Sequence, residues 1–208
     1  YDGEQFHSHR ALGLVGDNFN STETMTQLSG DMAIGHVRYS TTGGTILRNI
    51  QPLFADFKFG GLAIAHNGNL TNAAALRLEL EERGSIFQTT VDSEIVLHWL
   101  AQPTQNGENT LVSTIRKLEG AFSMLIMTEK EMIGVRDPHG FRPLCIGKLA
   151  NDTYVLSSET CALDLIEAEF VRDVEPGEIV IIDDDGLRSI QAFPEQEKRS
   201  FCIFEYVY

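Results

Sequence analysis

The sequence has no long hydrophobic run, no excess of basic charge and no paired cysteines, and each absence removes a class of protein. A membrane-crossing helix needs roughly 18 or more consecutive apolar residues, and no run in the 208 residues approaches that length. The first residues, Tyr1-Asp2-Gly3-Glu4-Gln5, carry neither the basic segment nor the apolar stretch of a secretory signal, so the protein reads as cytoplasmic with no membrane partner. Lys and Arg number 16 against 30 Asp and Glu, a formal net charge of -14. Such a chain repels phosphate backbones, and no Lys/Arg-rich run offsets that locally, so nucleic acid is not an expected partner. The cysteines Cys145, Cys161 and Cys202 are odd in number and widely spaced, with no CxxC or Cys/His ligand spacing. A disulfide framework or zinc site is therefore not expected. What is present is apolar content of 42%, enough to bury the core of one ordinary domain.

Both ends read as interrupted. There is no initiator methionine, and Asp2-Gly3 is a two-residue hairpin signal whose first arm would precede Tyr1. The last eight residues, Phe201-Cys202-Ile203-Phe204-Glu205-Tyr206-Val207-Tyr208, form an apolar strand-like run, unlike the polar, frayed end usual for a domain. The expectation is a segment of a longer protein, with a domain over 1–200 and residues 201–208 beginning a connection to another.

Apolar alternation predicts strands at 32–39, 53–58 and 62–67, with Gly60-Gly61 as the turn between the last two. Helices are expected from Thr71 to Arg83, capped by Gly84, from Asp92 to Ala101, and from Leu111 to Leu118. The second half reads as strands at 121–127, 131–136, 144–149, 153–158, 178–183 and 187–191, joined by short turns. Tightly joined strands make antiparallel meanders rather than βαβ crossovers, so the fold class is α+β with helices covering the sheets. Asp183-Asp184-Asp185-Gly186 reads as a solvated hairpin turn, because it lacks the alternating ligands and distal Glu of a calcium loop.

Three polar constellations stand where apolar elements stop: Gly35-His36-Val37-Arg38-Tyr39-Ser40-Thr41, Ala65-His66-Asn67-Gly68-Asn69-Leu70, and Thr90-Val91-Asp92-Ser93-Glu94. Arg38 offers a planar fork of donors suited to a carboxylate, and Asp92 a fixed anion suited to an ammonium group. The Asn67 side-chain amide and a backbone N–H at Gly68 could together stabilise an oxyanion. A free amino acid with a side-chain amide satisfies all four. Each residue taken alone also has a structural reading: a salt-bridged arginine, a helix cap, a turn, and in His36 and His66 hydrogen-bonded core histidines.

Taken in order, GHVRYSTTGG, HNGNL and TTVDSE resemble the class II glutamine amidotransferases. Tyr39-Ser40-Thr41 after the arginine, Asn69-Leu70 after HNG, the run Arg136-Asp137-Pro138-His139-Gly140-Phe141-Arg142-Pro143-Leu144 and the terminal FEYVY narrow the resemblance to amidophosphoribosyltransferases. The resemblance implies the amino-terminal-nucleophile hydrolase fold, a four-layer αββα sandwich of mostly antiparallel sheets. It implies that Arg38 binds the α-carboxylate of L-glutamine, with Thr41 also in the substrate site, that Asp92 binds the α-ammonium, and that Asn67 and Gly68 form the oxyanion hole. It further implies a nucleophilic amino-terminal cysteine, which Tyr1 does not supply, so these residues alone are not expected to hydrolyse glutamine. Cys145 and Cys161 read as core thiols. Cys202 lies where some members place an iron–sulfur ligand, and one matching cysteine is weak ground for a 4Fe-4S cluster. No cofactor is expected in this domain. The family's second domain, a phosphoribosyltransferase, uses Mg2+, and its members assemble as homo-oligomers. Two rivals stand beside this reading: another class II amidotransferase, and a glutamine-binding module without catalysis.

Overall fold

The structure, a computed structural model, describes residues 1–38, 46–58, 60–103, 109–194 and 200. Two short helices, α1 (Val15–Asn18) and α2 (Thr22–Gln27), precede a 3-10 turn at Leu47–Asn49. Strands β1 (Leu53–Phe57) and β2 (Gly60–Leu70) lead into helices α3 (Ala73–Glu82), α4 (Glu94–Leu100) and α5 (Thr110–Ile115). Strands β3 (Gly120–Thr128), β4 (Met132–Arg136), β5 (Cys145–Lys148) and β6 (Tyr154–Ser157) follow, then α6 (Thr160–Leu165), β7 (Glu169–Asp173), β8 (Glu178–Asp183) and β9 (Gly186–Gln191).

All described pairings are antiparallel. One sheet has six strands in the order β1-β2-β3-β4-β8-β9, and a second has three, β6-β5-β7. Side chains alternate across each sheet, so each strand supplies two layers. From β3, Phe122, Met124 and Ile126 join Ile133, Ile179 and Ile181 in the core shared with Leu80 of α3, Ile95 and Trp99 of α4 and Ile115 of α5. The intervening residues Leu125 and Val180 face the other way, onto Leu144, Ile146 and Leu156 of the second sheet region. Across the second sheet, Cys145 packs with Leu163 of α6 and Ala168. Helices, six-stranded sheet, three-stranded sheet and α6 therefore stack as αββα, the architecture expected.

Most predicted elements are present within a residue or two. The strand expected at 32–39 is the exception: its described part, 32–38, forms no strand. Alternation alone does not make a ladder; at the start of the segment the Met32 amide donates to the Tyr1 carbonyl and the Met32 carbonyl accepts from the Tyr1 ammonium at 2.8 Å. Gly60-Gly61 is not the turn but the start of β2, paired with Phe57 and Asp56. A side chain at 61 would overlap the Phe6 ring, which explains that glycine by packing. Asp2-Gly3 does turn the chain, with the Asp2 carboxylate accepting from the Glu4 and Gln5 amides at 2.9 and 2.8 Å. Asp183 pairs with Gly186, so the acidic run is a hairpin turn. Thr41, Cys202 and the apolar run 201–208 lie outside the described residues.

Candidate active site

The end of β2 carries the chemistry-bearing residues, and its alternation sends them to opposite faces. His66 lies opposite Met124, on the face packed by helices, whereas Asn67 lies opposite Ser123, on the face toward the second sheet. There Asn67 and Ser123 line a small cavity of about 40 Å3 together with Gly35 and His36. Gly68 follows with φ +138, a conformation that L side chains rarely adopt. A Cβ at 68 would overlap the Ala121 carbonyl oxygen and lie 2.8 Å from Phe122 Cα. Only glycine permits this approach of β2 to β3, and the backbone at 68 remains exposed.

Asp92 stands at the entry to α4, between the helix layer and β2. Its Oδ2 accepts from the Leu70 amide at 2.8 Å, and its Oδ1 lies 3.2 Å from His66 Nδ1. An ionised carboxylate only accepts, so Nδ1 carries the proton in that contact. Burial works to raise the Asp92 pKa. The hydrogen bond and charge of His66, with the Leu70 and Ser93 amides, outweigh it and hold the carboxyl below its ordinary value. The side chain keeps 22% exposure, so this anion remains open to a ligand. The His66 ring is buried, and its Nε2 has no partner among the described residues.

Two supports of this arrangement gave no sequence signal. The β1–β2 ladder ends at Leu53 and Ile64, and Gln51 lies two positions beyond, where the register would bring it across from His66. Its side-chain amide takes over the ladder, accepting from the His66 N–H at 2.7 Å and donating to the His66 carbonyl at 3.3 Å. Asn49 holds Thr90 in the same manner, donating to its hydroxyl at 2.9 Å and accepting from its amide at 3.2 Å. Both are buried polar side chains in an irregular segment, where no periodicity marks them.

Arg38 and His36 line a larger cavity of about 400 Å3, bordered also by Asn49, Gln51 and Phe54. His36 borders both cavities and so connects the Arg38 side to the Asn67 side. Burial pushes the His36 imidazole below its ordinary pKa, and the charges of His66 and Arg38 push the same way. The structure thus groups Arg38, His36 and Asn67 around adjoining cavities. Asp92 borders neither of the two; its side-chain contact is with His66, on the opposite face of β2 from Asn67.

The cysteines divide. Cys145 is a core thiol whose pKa is raised, first by burial. Cys161 is not a core thiol as expected: it is exposed on the first turn of α6, its Sγ 3.3 Å from Glu159 Oε2, which raises its pKa. Cys202, the candidate iron–sulfur ligand, lies outside the described residues.

The run at 136–142 serves the backbone. Arg136 donates to the carbonyls of Arg142, Val174 and Gly140 at 2.9, 2.6 and 3.1 Å. The Asp137 carboxylate, fully buried, accepts from four amides, those of His139, Phe141, Arg142 and Phe122, at 2.9 to 3.3 Å. Phe122 is the register partner of Gly68, so this loop is tied to the strand beside Asn67 and Gly68.

The α+β sandwich thus carries Asn67 and Gly68 near the end of β2, Asp92 at the entry to α4, and Arg38 on the wall of the larger cavity. The chain belongs to the glutamine amidotransferase domain family, whose model matches residues 36–165. The resemblance to amidophosphoribosyltransferases holds along the whole chain. Amidophosphoribosyltransferase 2, chloroplastic, of Arabidopsis thaliana is 48% identical over 95% of this chain and 35% of its own length. The Bacillus subtilis amidophosphoribosyltransferase is 46% identical over 100% of this chain and 43% of its own. A solved structure of the allosteric regulatory enzyme of purine biosynthesis superposes with a TM-score of 0.92 at 44% identity, covering 100% of this chain and 44% of that one. The glutamine phosphoribosylpyrophosphate amidotransferase from B. subtilis, complexed with ADP and GMP, gives 0.90 at 42% identity, over 100% and 44%. The chain therefore spans less than half the length of these relatives.

Proposed function

We propose that this domain binds and hydrolyses L-glutamine, and that the full-length protein passes the ammonia to phosphoribosyl pyrophosphate. There ammonia displaces pyrophosphate to give 5-phosphoribosylamine, at the start of purine synthesis. The observation that carries the glutamine reading is the Asp92 carboxylate, held below its ordinary pKa with 22% of its side chain exposed and bonded to the Leu70 amide, three residues beyond Asn67 at the end of β2. In this reading Asp92 and Arg38 hold the α-ammonium and α-carboxylate, with Thr41 also in the substrate site. Asn67 and the Gly68 N–H receive the oxyanion formed when the amide carbon is attacked. The attacking group is the amino-terminal cysteine of the family, whose own amine takes the proton. Neither Cys145 nor Cys161, whose pKa values are both raised, takes that role in this reading. The same reading places the enzyme in the cytoplasm as a homo-oligomer, with Mg2+ acting in the phosphoribosyltransferase domain.

The test is glutamate release by the full-length protein. Asn67→Ala lowers turnover by about 10²- to 10³-fold, the usual effect of one oxyanion donor, and Asp92→Asn raises KM for glutamine. Unchanged values for both variants would remove these residues from the site. A requirement for an acceptor other than phosphoribosyl pyrophosphate would favour another class II amidotransferase.

A further inference from the structure

The loop that leads into Asp92 has no ladder or helix of its own, yet its backbone is held at every residue from 88 to 91. The Gln88 amide donates to Glu94 Oε1 at 2.7 Å and the Thr89 amide to Glu94 Oε2 at 2.8 Å. The Thr90 amide donates to Asn49 and the Val91 amide to Thr89 Oγ1, both at 3.2 Å. Arg77 donates to the Thr89 carbonyl at 3.1 Å while its guanidinium lies over the Phe87 ring. Glu94 is the centre of this net. It is the first residue of α4, but its side chain turns back over the preceding loop, where Oε2 also accepts from the Thr89 hydroxyl at 2.7 Å. The residue is only 6% exposed. A carboxylate buried at a helix start needs no such reach for capping. It is placed to accept from the two amides that begin the approach to Asp92, and the Thr89 hydroxyl passes that order on to Val91.

We propose that Glu94 is a positioning residue for glutamine binding: its carboxylate fixes the 88–91 loop, which sets Asp92 against the substrate's α-ammonium. The proposal rests on the reading of Asp92 as the ammonium ligand. Glu94 touches no substrate in this scheme and acts through Asp92 alone. Its removal therefore weakens whatever Asp92 holds and leaves the rest of the amide chemistry intact. Glu94→Gln keeps the size and one carbonyl oxygen but turns an NH2 group toward one of the two amides. That strands a donor.

The experiment uses the full-length protein, with glutamine as substrate and glutaramate, glutamine without its amino group, as competitive inhibitor. Glu94→Gln is expected to raise KM for glutamine by about tenfold, in line with the loss of one hydrogen bond to a charged group, while kcat stays within about twofold. The inhibition constant of glutaramate, which offers Asp92 nothing to bind, stays unchanged. A purely structural role would weaken glutamine and glutaramate alike, and that outcome overturns the proposal. So does an unchanged glutamine KM in Glu94→Gln alongside a raised one in Asp92→Asn, which leaves the Asp92 reading standing. If Asp92→Asn itself leaves KM unchanged, the site reading fails, and this proposal fails with it. Should Glu94→Gln not fold, Thr89→Val, which deletes only the hydroxyl linking Glu94 to Val91, is expected to give a smaller shift with the same selectivity. Equal shifts for the two ligands there also overturn it.

Discussion

Replacing Asp137 with Asn tests how far the 136–142 loop depends on one buried anion. Two carboxylate oxygens accept from four backbone amides: Oδ1 from His139 and Phe141, and Oδ2 from Phe122 and Arg142. Asparagine keeps one acceptor oxygen, so whichever way the amide turns, two of these N–H groups face an NH2 group. Each stranded buried donor costs about 1–3 kcal/mol, giving a loss of about 2–6 kcal/mol. One effect opposes this: removing a buried charge relieves its desolvation, and some buried ion pairs are replaced without loss. That relief requires that the partners disappear too, and here the partners are backbone amides that no side-chain substitution removes. The stranding term therefore dominates.

For a domain of this size each kcal/mol moves Tm by about 2–4 °C, so Asp137→Asn is expected to melt roughly 4 to 24 °C lower. Urea denaturation gives the free energy independently. Amide exchange locates the effect, with the Phe122, His139 and Arg142 amides losing protection before the centre of β3. A loss below about 1 kcal/mol, or exchange that accelerates evenly through the sheet, would refute the assignment of Asp137 as the acceptor that closes this loop.

Gly68→Ala is expected to lower glutamine turnover of the full-length protein by about 10²-fold or more, the scale of a misplaced oxyanion donor. The added methyl must displace the Ala121 carbonyl and so move β2 from β3; turnover within threefold of wild type would contradict that. The Glu178 carboxyl is 5% exposed and held below its ordinary pKa. Burial works to raise it, but hydrogen bonds from Arg172, the Glu175 amide and Ser189, with the Arg172 charge, prevail. A folded pKa below the unfolded one stabilises above the unfolded value, and that contribution is lost as pH falls through the folded value. The urea midpoint of Glu178→Gln is therefore expected to lie below wild type at pH 7 and to approach it as pH falls through the lowered folded-state value, whereas parallel curves would show that Glu178 does not titrate with folding.

The strands most legible in the sequence are those whose two faces meet different partners. In β3, Phe122, Met124 and Ile126 meet helices while Leu125 meets the second sheet, so alternation is written into residue size as well as polarity. Where a segment buries little, the pattern fails in both directions. The 32–38 run alternates without forming a strand, and β7 forms a strand although Phe170 and Val171 on adjacent positions are both half exposed. Helix α2 escaped notice because nothing on it is buried; its start is set by Ser21, whose hydroxyl accepts from the Thr24 amide. The expected helix begins at Asp92, but α4 starts at Glu94 with Ser93 as its cap position, and the Asp92 carboxylate goes to His66 and Leu70 instead.

The polar motifs were legible as groups, but their members divide in a way only the fold reveals. TTVDSE and RDPHGFRPL each contain an aspartate that looks available for chemistry. Asp137 has no exposure and spends its oxygens on four amides, while Asp92 retains 22% exposure beside its bonds to His66 and backbone amides. A ligand must replace water at the group that holds it, so a carboxylate with no contact to water cannot receive a substrate without opening the fold. Glu94 follows Asp137 by that criterion, and Gln51 and Asn49 follow for the same reason. The four supply acceptors and donors to backbone that no regular element satisfies around β2 and its neighbouring loops. An open strand end that must present Asn67, Gly68 and Asp92 cannot also complete its own ladder. Buried side chains complete it instead, and for that reason the supports of this site are as polar as the site itself.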